Sequence, residues 1–133
     1  MLRREFLFLA GLPALPPIAI GSSLRIVAQN RYFAKPGKAG DAYKLRLHAC
    51  DVLLRIGVAP GEVFRGRGGS EPDALWQVEF ASRDAAREAR RKVAASSEFT
   101  AVQERMGELI RRFETSLYQE VIPTSVDDKP PSA

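Results

Sequence analysis

The sequence is poor in the residues that most often bind metals or carry redox chemistry. It contains one cysteine, Cys50, and one histidine, His48, among 133 residues. A single cysteine cannot form a disulfide within the chain, and this pair cannot complete a zinc site built from cysteine and histidine. Asp41 and Asp51 have no partner at metal-ligand spacing. We therefore expect neither a metal site nor a cofactor.

The chain also lacks an apolar run that could span a bilayer, which takes about 20 residues. The stretch from Phe6 to Ile20 is shorter and is interrupted by prolines. Its start resembles a twin-arginine export signal through Arg3, Arg4, Phe6 and Leu7. Residues 1–22 are therefore predicted to be an export signal with a small-residue cleavage site at its end. The protein is then periplasmic, or tethered to the membrane if the signal is retained.

An excess of basic charge is present but weak, at 20 basic against 16 acidic side chains. Nucleic-acid-binding domains concentrate their basic residues on one face. The densest group, between Arg83 and Lys92, is interrupted by Asp84 and Glu88, which is typical of a solvated helix. We expect no nucleic-acid partner and no membrane contact beyond the signal. Residues 23–122 are predicted to form one domain, and residues 123–133 a disordered tail.

Hydrophobic periodicity predicts seven elements in this domain. Strands are expected at Leu24–Lys35, Gly61–Arg67, Ala74–Ala81 and 119–122. Helices are expected at Asp41–Ile56, from a Ser82 cap to Ala95, and onward from a break and second cap at Ser96 and Ser97. The last helix is predicted to run to Leu117, because apolar residues recur at helical spacing from Phe99. This order is that of an α+β, ferredoxin-like βαββα(β) fold with an antiparallel sheet.

One face of such a sheet needs a cover that the helices do not supply. In the third strand Trp76, Val78 and Phe80 share one face, whereas Gln77 and Glu79 share the other. Packing the sheets of two subunits together would bury the uncovered face. The sequence therefore predicts a symmetric homodimer.

Three short segments resemble the NIPSNAP-like proteins of the dimeric α/β-barrel superfamily. They are Ala34–Lys38, Trp76–Phe80 and Ser97–Phe99. The resemblance implies that two ferredoxin-like subunits pair their sheets into one barrel. Members of the superfamily include cofactor-free monooxygenases, haem-degrading and haem-binding enzymes, isomerases, and many proteins without an established activity.

The resemblance also bears on individual residues. The haem-degrading and antibiotic-biosynthesis monooxygenase branch uses an asparagine on the first strand, a tryptophan on the third and a histidine further on. Asn30 is similar to the first and Trp76 lies on the matching strand, but no histidine follows His48. This departure argues against haem chemistry.

Five residues are candidates for lining a ligand site in the barrel: Asn30, Tyr32, Arg65, Trp76 and Glu79. Glu79 could act as a general base if burial raised its pKa, with Asn30 as the second catalytic candidate. Each also has a structural interpretation. Glu79 would pair with Arg65 or Arg31, Asn30 and Tyr32 would hydrogen-bond across the dimer, and Trp76 would lie in the core. His48 is expected on an exposed helix face, and Cys50 as a buried, unreactive thiol.

Two principal hypotheses follow. The first is an exported dimer that binds a small ligand in the barrel cavity. The second is a cofactor-independent monooxygenase or isomerase that uses the five candidate residues. A subunit that docks to a redox partner is a third, suggested only by the export signal. The enzyme hypothesis loses its residues if Glu79 points to solvent or Asn30 to the helices.

Overall fold

The computed structural model describes residues 24–67 and 69–121. Its elements are β1 Ile26–Ala34, α1 Ala39–Arg55, β2 Glu62–Arg65, β3 Ala74–Phe80, α2 Arg83–Ala94, α3 Ser97–Leu109 and β4 Ile110–Gln119. The predicted export signal (residues 1–22) and the predicted tail (residues 123–133) lie outside the described residues, and both stay predictions.

The four strands form one antiparallel sheet in the order β2-β3-β1-β4. β1 is central, so that Asn30 lies opposite Trp76 of β3 on one side and Thr115 of β4 on the other. The predicted α+β class and ferredoxin-like order are confirmed. β-branched and aromatic residues at alternate positions suit this pleated, half-buried layer.

The helices cover one face of the sheet, called here the helix-side face. In β1 its residues are Ile26, Ala28, Asn30 and Tyr32, and in β3 they are Ala74, Trp76, Val78 and Phe80; all are buried. The opposite face, called the open face, includes Val27, Gln29, Arg31, Leu75, Gln77 and Glu79. The period-two pattern of β3 therefore predicted correctly which residues share a face.

Two serines begin the second and third helices. The Ser82 hydroxyl accepts a hydrogen bond from the Ala85 amide at 3.0 Å, and the Ser96 hydroxyl accepts one from the Phe99 amide at 3.1 Å. Each satisfies a backbone donor that a helix N-terminus leaves without a partner. Among the helices of the described ranges, none is long and apolar enough to cross a membrane.

The last helix is shorter than predicted. α3 ends at Leu109, and β4 begins at Ile110 without an intervening residue. The prediction of a helix to Leu117, with a short strand from Gln119, was wrong. Phe113 and Leu117 are four residues apart, a spacing that places two side chains on one side of a helix and also on one face of a strand. Pairing along β1 decides between the two.

Candidate functional site

Three of the five candidate residues meet on the helix-side face. Asn30 and Tyr32 are 0% exposed, and Trp76 is 1% exposed. Asn30 and Tyr32 are two residues apart on β1, and Trp76 lies beside Asn30 on β3. Their side chains point toward the helices rather than toward the open face, where a barrel between two sheets would form.

A fourth residue, Arg46 of α1, joins them and was not predicted. Its side chain is fully buried, its Nη1 donates to the Tyr32 hydroxyl oxygen at 3.1 Å, and its guanidinium carbon lies 4.3 Å from the centroid of a Trp76 ring. The sequence alone could have indicated it, because Arg46 lies between Ala42 and Ala49 on the apolar stripe of α1. A charged residue in such a stripe indicates that its side chain is buried.

Hydrogen bonds connect this group to the surface. Asn30 Nδ2 donates to the Tyr32 oxygen at 3.3 Å, and Thr115 Oγ1 donates to Asn30 Oδ1 at 2.9 Å. Thr115 is exposed on β4. We call these five residues, Asn30, Tyr32, Arg46, Trp76 and Thr115, the Arg46 cluster. It extends from the interior under α1 to the surface at β4.

The Pro60 carbonyl binds Trp76, at the end of the cluster opposite Thr115. It accepts a hydrogen bond from Trp76 Nε1 at 2.7 Å and another from the Cys50 thiol at 3.2 Å. Both donors would otherwise lose hydrogen bonds to water on burial. The indole is thereby fixed in position beside Arg46. Cys50, predicted to be buried, is partly buried and free.

The Tyr32 hydroxyl stays protonated at physiological pH. Burial raises its pKa above 10.0, and the neighbouring Arg46 cation and the hydrogen bonds from Asn30 and Arg46 oppose this shift without cancelling it. A neutral phenol beside a guanidinium can both donate and accept a hydrogen bond. The Tyr32 oxygen therefore carries no negative charge that would neutralise Arg46.

The other two candidates lie elsewhere. The Arg65 guanidinium on β2 lies 5.3 Å from the centroid of the Tyr43 ring. Glu79 is on the open face, where its half-exposed side chain pairs with Arg25. The structural alternative had paired Glu79 with Arg65 or Arg31, so that pairing was wrong. The five residues thus do not converge on one pocket within the chain.

The centre of the open face carries a polar network. Gln29 Nε2 donates to Gln77 Oε1 at 2.7 Å, and Arg31 bonds to Glu114 at 3.2 Å and to Ser116 at 2.7 Å. Arg112 and Arg31 together hold the pKa of Glu114 below its usual value of 4.5. Arg112 also lies 4.4 Å from the Phe33 ring centroid. These contacts fix the side chains of the open face within the single chain.

A separate surface cavity of about 420 Å³ lies where β2 ends and β3 begins. It is lined by Phe64, Arg65, Gly66, Arg67, Glu71, Pro72 and Leu75 and shares only Arg65 with the candidate set. Across residues 24–67 and 69–121, no group of three or more histidine, cysteine, aspartate or glutamate side chains could hold a metal ion. His48 is exposed on α1.

Comparison with solved structures identifies the fold. A NIPSNAP family protein from Agrobacterium tumefaciens superposes with a TM-score of 0.60 at 21% identity, covering 78% of this chain and 92% of that one. The chain shares its fold with NIPSNAP family proteins. A dimeric protein of unknown function with a ferredoxin-like fold, from Bacteroides fragilis, gives a TM-score of 0.56 at 14% identity, covering 72% and 96%.

A third similar structure comes from Bacteroides thetaiotaomicron, and its assignment as an antibiotic biosynthesis monooxygenase is provisional. It gives a TM-score of 0.56 at 15% identity and covers 77% of this chain and 95% of that one. No protein-family model and no curated protein matches the sequence. The resemblance to NIPSNAP-like proteins expected from the sequence is confirmed at the level of the fold.

Proposed function

We propose that the protein is an exported homodimer that binds a small organic ligand at the Arg46 cluster. The observation that supports this is the fully buried Arg46 guanidinium, held by a phenol and an indole between α1 and the sheet. The ligand site is thus assigned to the interior of each subunit, next to the helix-side face, rather than to the cavity between two sheets.

The energetic cost of Arg46 favours a functional role. Burying a charge costs several kcal/mol, and well-packed apolar residues often replace a buried charge without loss of stability. A chain under selection for stability alone has little reason to keep a guanidinium there. Charged and titratable groups in costly interior positions concentrate at functional sites.

The open face supports the homodimer. Phe64, on β2, is 47% exposed, and Tyr118, on β4, is 54% exposed. Both lie on the open face, beside the polar network of Gln29 and Arg31. Large apolar side chains around an ordered polar centre suit an interface between two copies of one sheet. One of the similar structures is described as dimeric.

Export rests on the N-terminal sequence. Arg3 and Arg4 precede the apolar stretch that begins with Phe6 and Leu7. The twin-arginine route exports folded proteins, so a ligand acquired in the cytoplasm would travel with the protein. This makes ligand retention a property that can be measured on exported material.

Native mass spectrometry of the full-length gene product, expressed with its signal and recovered from the periplasm, tests all three parts. We expect a dimer of the cleaved chain that carries an additional discrete mass. Arg46→Met should lose that mass, whereas Arg55→Met, an exposed arginine on the same helix, should keep it. A monomer, a purely cytoplasmic protein, or equal ligand occupancy in both variants would each contradict one part of the proposal.

A second candidate function is a cofactor-independent monooxygenase or isomerase. It is favoured because one similar structure carries a provisional monooxygenase assignment. The residues first expected to carry it do not support it, because Asn30 faces the helices and Glu79 is half-exposed and pairs with Arg25. Oxygen uptake by the protein with its co-purified ligand, in the absence of added metal, tests the oxygenase. Unchanged ligand after prolonged incubation in air would leave binding as the function.

A further inference from the structure

The oxygen of Tyr32 lies among hydrogen-bond donors. Arg46 Nη1 and Asn30 Nδ2 both donate to it, at 3.1 and 3.3 Å. A phenol oxygen accepts two hydrogen bonds, so its own hydrogen is left as a donor to a third partner. The Arg46 and Asn30 donors are thus engaged by the Tyr32 oxygen, and the Tyr32 hydrogen is the donor that remains, beside a permanent cation. A hydroxyl donor next to a cation suits an oxygen that carries negative charge.

The Asn30 amide can adapt to a full or an empty site. In the arrangement above, its Oδ1 accepts from Thr115 at 2.9 Å. Turning the amide over would bring Oδ1 to the Tyr32 hydroxyl and Nδ2 to Thr115, because a hydroxyl both donates and accepts. The Tyr32 hydrogen then has an acceptor when no ligand is bound. An incoming oxygen would take the place of Asn30 Oδ1 as the acceptor of that hydrogen.

The surface end of the cluster is apolar on both sides. Thr115 lies between Phe113 and Leu117 on the helix-side face of β4, and both neighbours are partly buried. The Phe113 ring centroid is 5.4 Å from that of Tyr32. A molecule that binds there would contact the Phe113 and Leu117 side chains around the Thr115 hydroxyl, with Tyr32 and Arg46 deeper inside. This profile fits an apolar body with one charged oxygen group.

We infer that the ligand is a small organic acid with an apolar body, a carboxylate or an ionised phenol. This rests on the proposed function, since it names the class of ligand for the same site. Its anionic oxygen receives a hydrogen bond from the Tyr32 hydroxyl beside the Arg46 cation, and its body lies against Phe113 and Leu117. Arg46 and Tyr32 thus select for charge, and β4 selects for an apolar body.

Binding of simple probes to the full chain tests this class. Trp76 is the single tryptophan of the sequence and stacks on Arg46, so its fluorescence reports on the site. Benzoate should bind at least about tenfold more tightly than its neutral counterpart benzamide, because a hydrogen bond to a charged oxygen is stronger than one to a neutral oxygen. It should also bind more tightly than acetate, which lacks the apolar body. Calorimetry then compares the affinity for ionised 4-nitrophenol with that for benzoate, and so shows whether the site prefers a phenolate or a carboxylate.

Variants assign the effect to the cluster. Arg46→Met should remove the preference for benzoate over benzamide, Arg46→Lys should keep part of it, and Arg55→Met should leave it unchanged. Far-ultraviolet circular dichroism confirms folding of each variant. Since the comparison of benzoate with benzamide is made on the unaltered protein, a misfolded variant does not remove the test.

The outcomes separate the two proposals. Equal binding of benzoate and benzamide overturns the acid class and leaves the ligand site standing. If neither probe binds, the molecule retained in native mass spectrometry decides: an acid supports the inference and a neutral compound overturns it. If neither probe binds and no molecule is retained, the proposed ligand-binding function fails together with its class.

Discussion

At the scale of single residues, the burial of Tyr32 makes the stability of the protein depend on pH in the alkaline range. Burial raises its pKa in the folded state, whereas the unfolded chain ionises at about 10. The stability that comes from keeping this phenol neutral is therefore complete below about pH 10 and is lost as the pH rises through the folded pKa.

We predict that the free energy of unfolding falls more steeply above about pH 10 in the unaltered protein than in Tyr32→Phe. Urea denaturation at a series of pH values measures both slopes, and Tyr43→Phe, on α1 and outside the open face, serves as the control. Equal slopes in the unaltered protein and Tyr32→Phe would show that Tyr32 does not respond to pH in this way.

Arg46 makes a different prediction at the same scale. If the guanidinium is kept for ligand binding, Arg46→Met should not lower the free energy of unfolding, and an increase of about 1 kcal/mol or more is expected. Asn30 still donates to the Tyr32 oxygen in this variant, so the phenol keeps a partner. Denaturant unfolding compares it with Arg55→Met, which should change stability by less than about 0.5 kcal/mol. A loss of several kcal/mol would assign Arg46 to the core.

At the scale of elements, the turn before β2 positions Trp76. Gly61 has a φ of +73°, and a Cβ atom at this residue would lie 2.5 Å from the Gln77 carbonyl oxygen and 2.6 Å from Trp76 Nε1. The same indole nitrogen donates to the Pro60 carbonyl. The turn can therefore approach β3 closely only because this residue has no side chain.

Gly61→Ala should cost about 2–4 kcal/mol of unfolding free energy and shift the emission of Trp76, since the new methyl group meets the indole as well as a strained backbone. Gly37→Ala is the matched control, because Gly37 has a φ of +76° with no atom near the added methyl group. It should cost about 1–2 kcal/mol. Equal losses in the two variants would reduce the effect to backbone strain alone.

The elements that were predicted correctly from the sequence are mostly those specified by local patterns. The alternation in β3 and the serines before α2 and α3 depend on neighbours in the chain, and the structure confirms both. β4 could not be predicted, because the 113/117 spacing suits helix and strand equally and only pairing with β1 decides. Arg46 was missed for a related reason: its partners Tyr32 and Trp76 come from β1 and β3.

At the scale of the whole molecule, the proposed homodimer depends on the open face. Leu75 lies on this face between Arg31 of β1 and Phe64 of β2. A charge at its centre would be buried in a dimer without a prepared partner, and burying an unpaired charge costs far more than an apolar contact contributes. The proposed dimer thus makes this position sensitive in a way that the isolated subunit does not.

Leu75→Arg should raise the dimer dissociation constant by at least about 100-fold, which corresponds to about 2.8 kcal/mol. Sedimentation equilibrium measures it, with Leu54→Arg as the control, because Leu54 is 60% exposed on α1 and away from the sheet. A dimer that is weakened by Leu54→Arg and not by Leu75→Arg would place the interface on the helices instead.

The direct passage from α3 to β4 also limits how the chain can be altered. Leu109 ends the helix and Ile110 begins the strand, and the Leu109 carbonyl accepts a hydrogen bond from the Lys35 amide at 2.8 Å. No linker separates α3 from β4, so a rotation of the helix would displace the strand that carries Thr115. An epitope or fluorescent domain inserted between Leu109 and Ile110 would uncouple the helix from the strand. The turn at Pro36 and Gly37 is exposed and outside any element, and it could accept such an insertion.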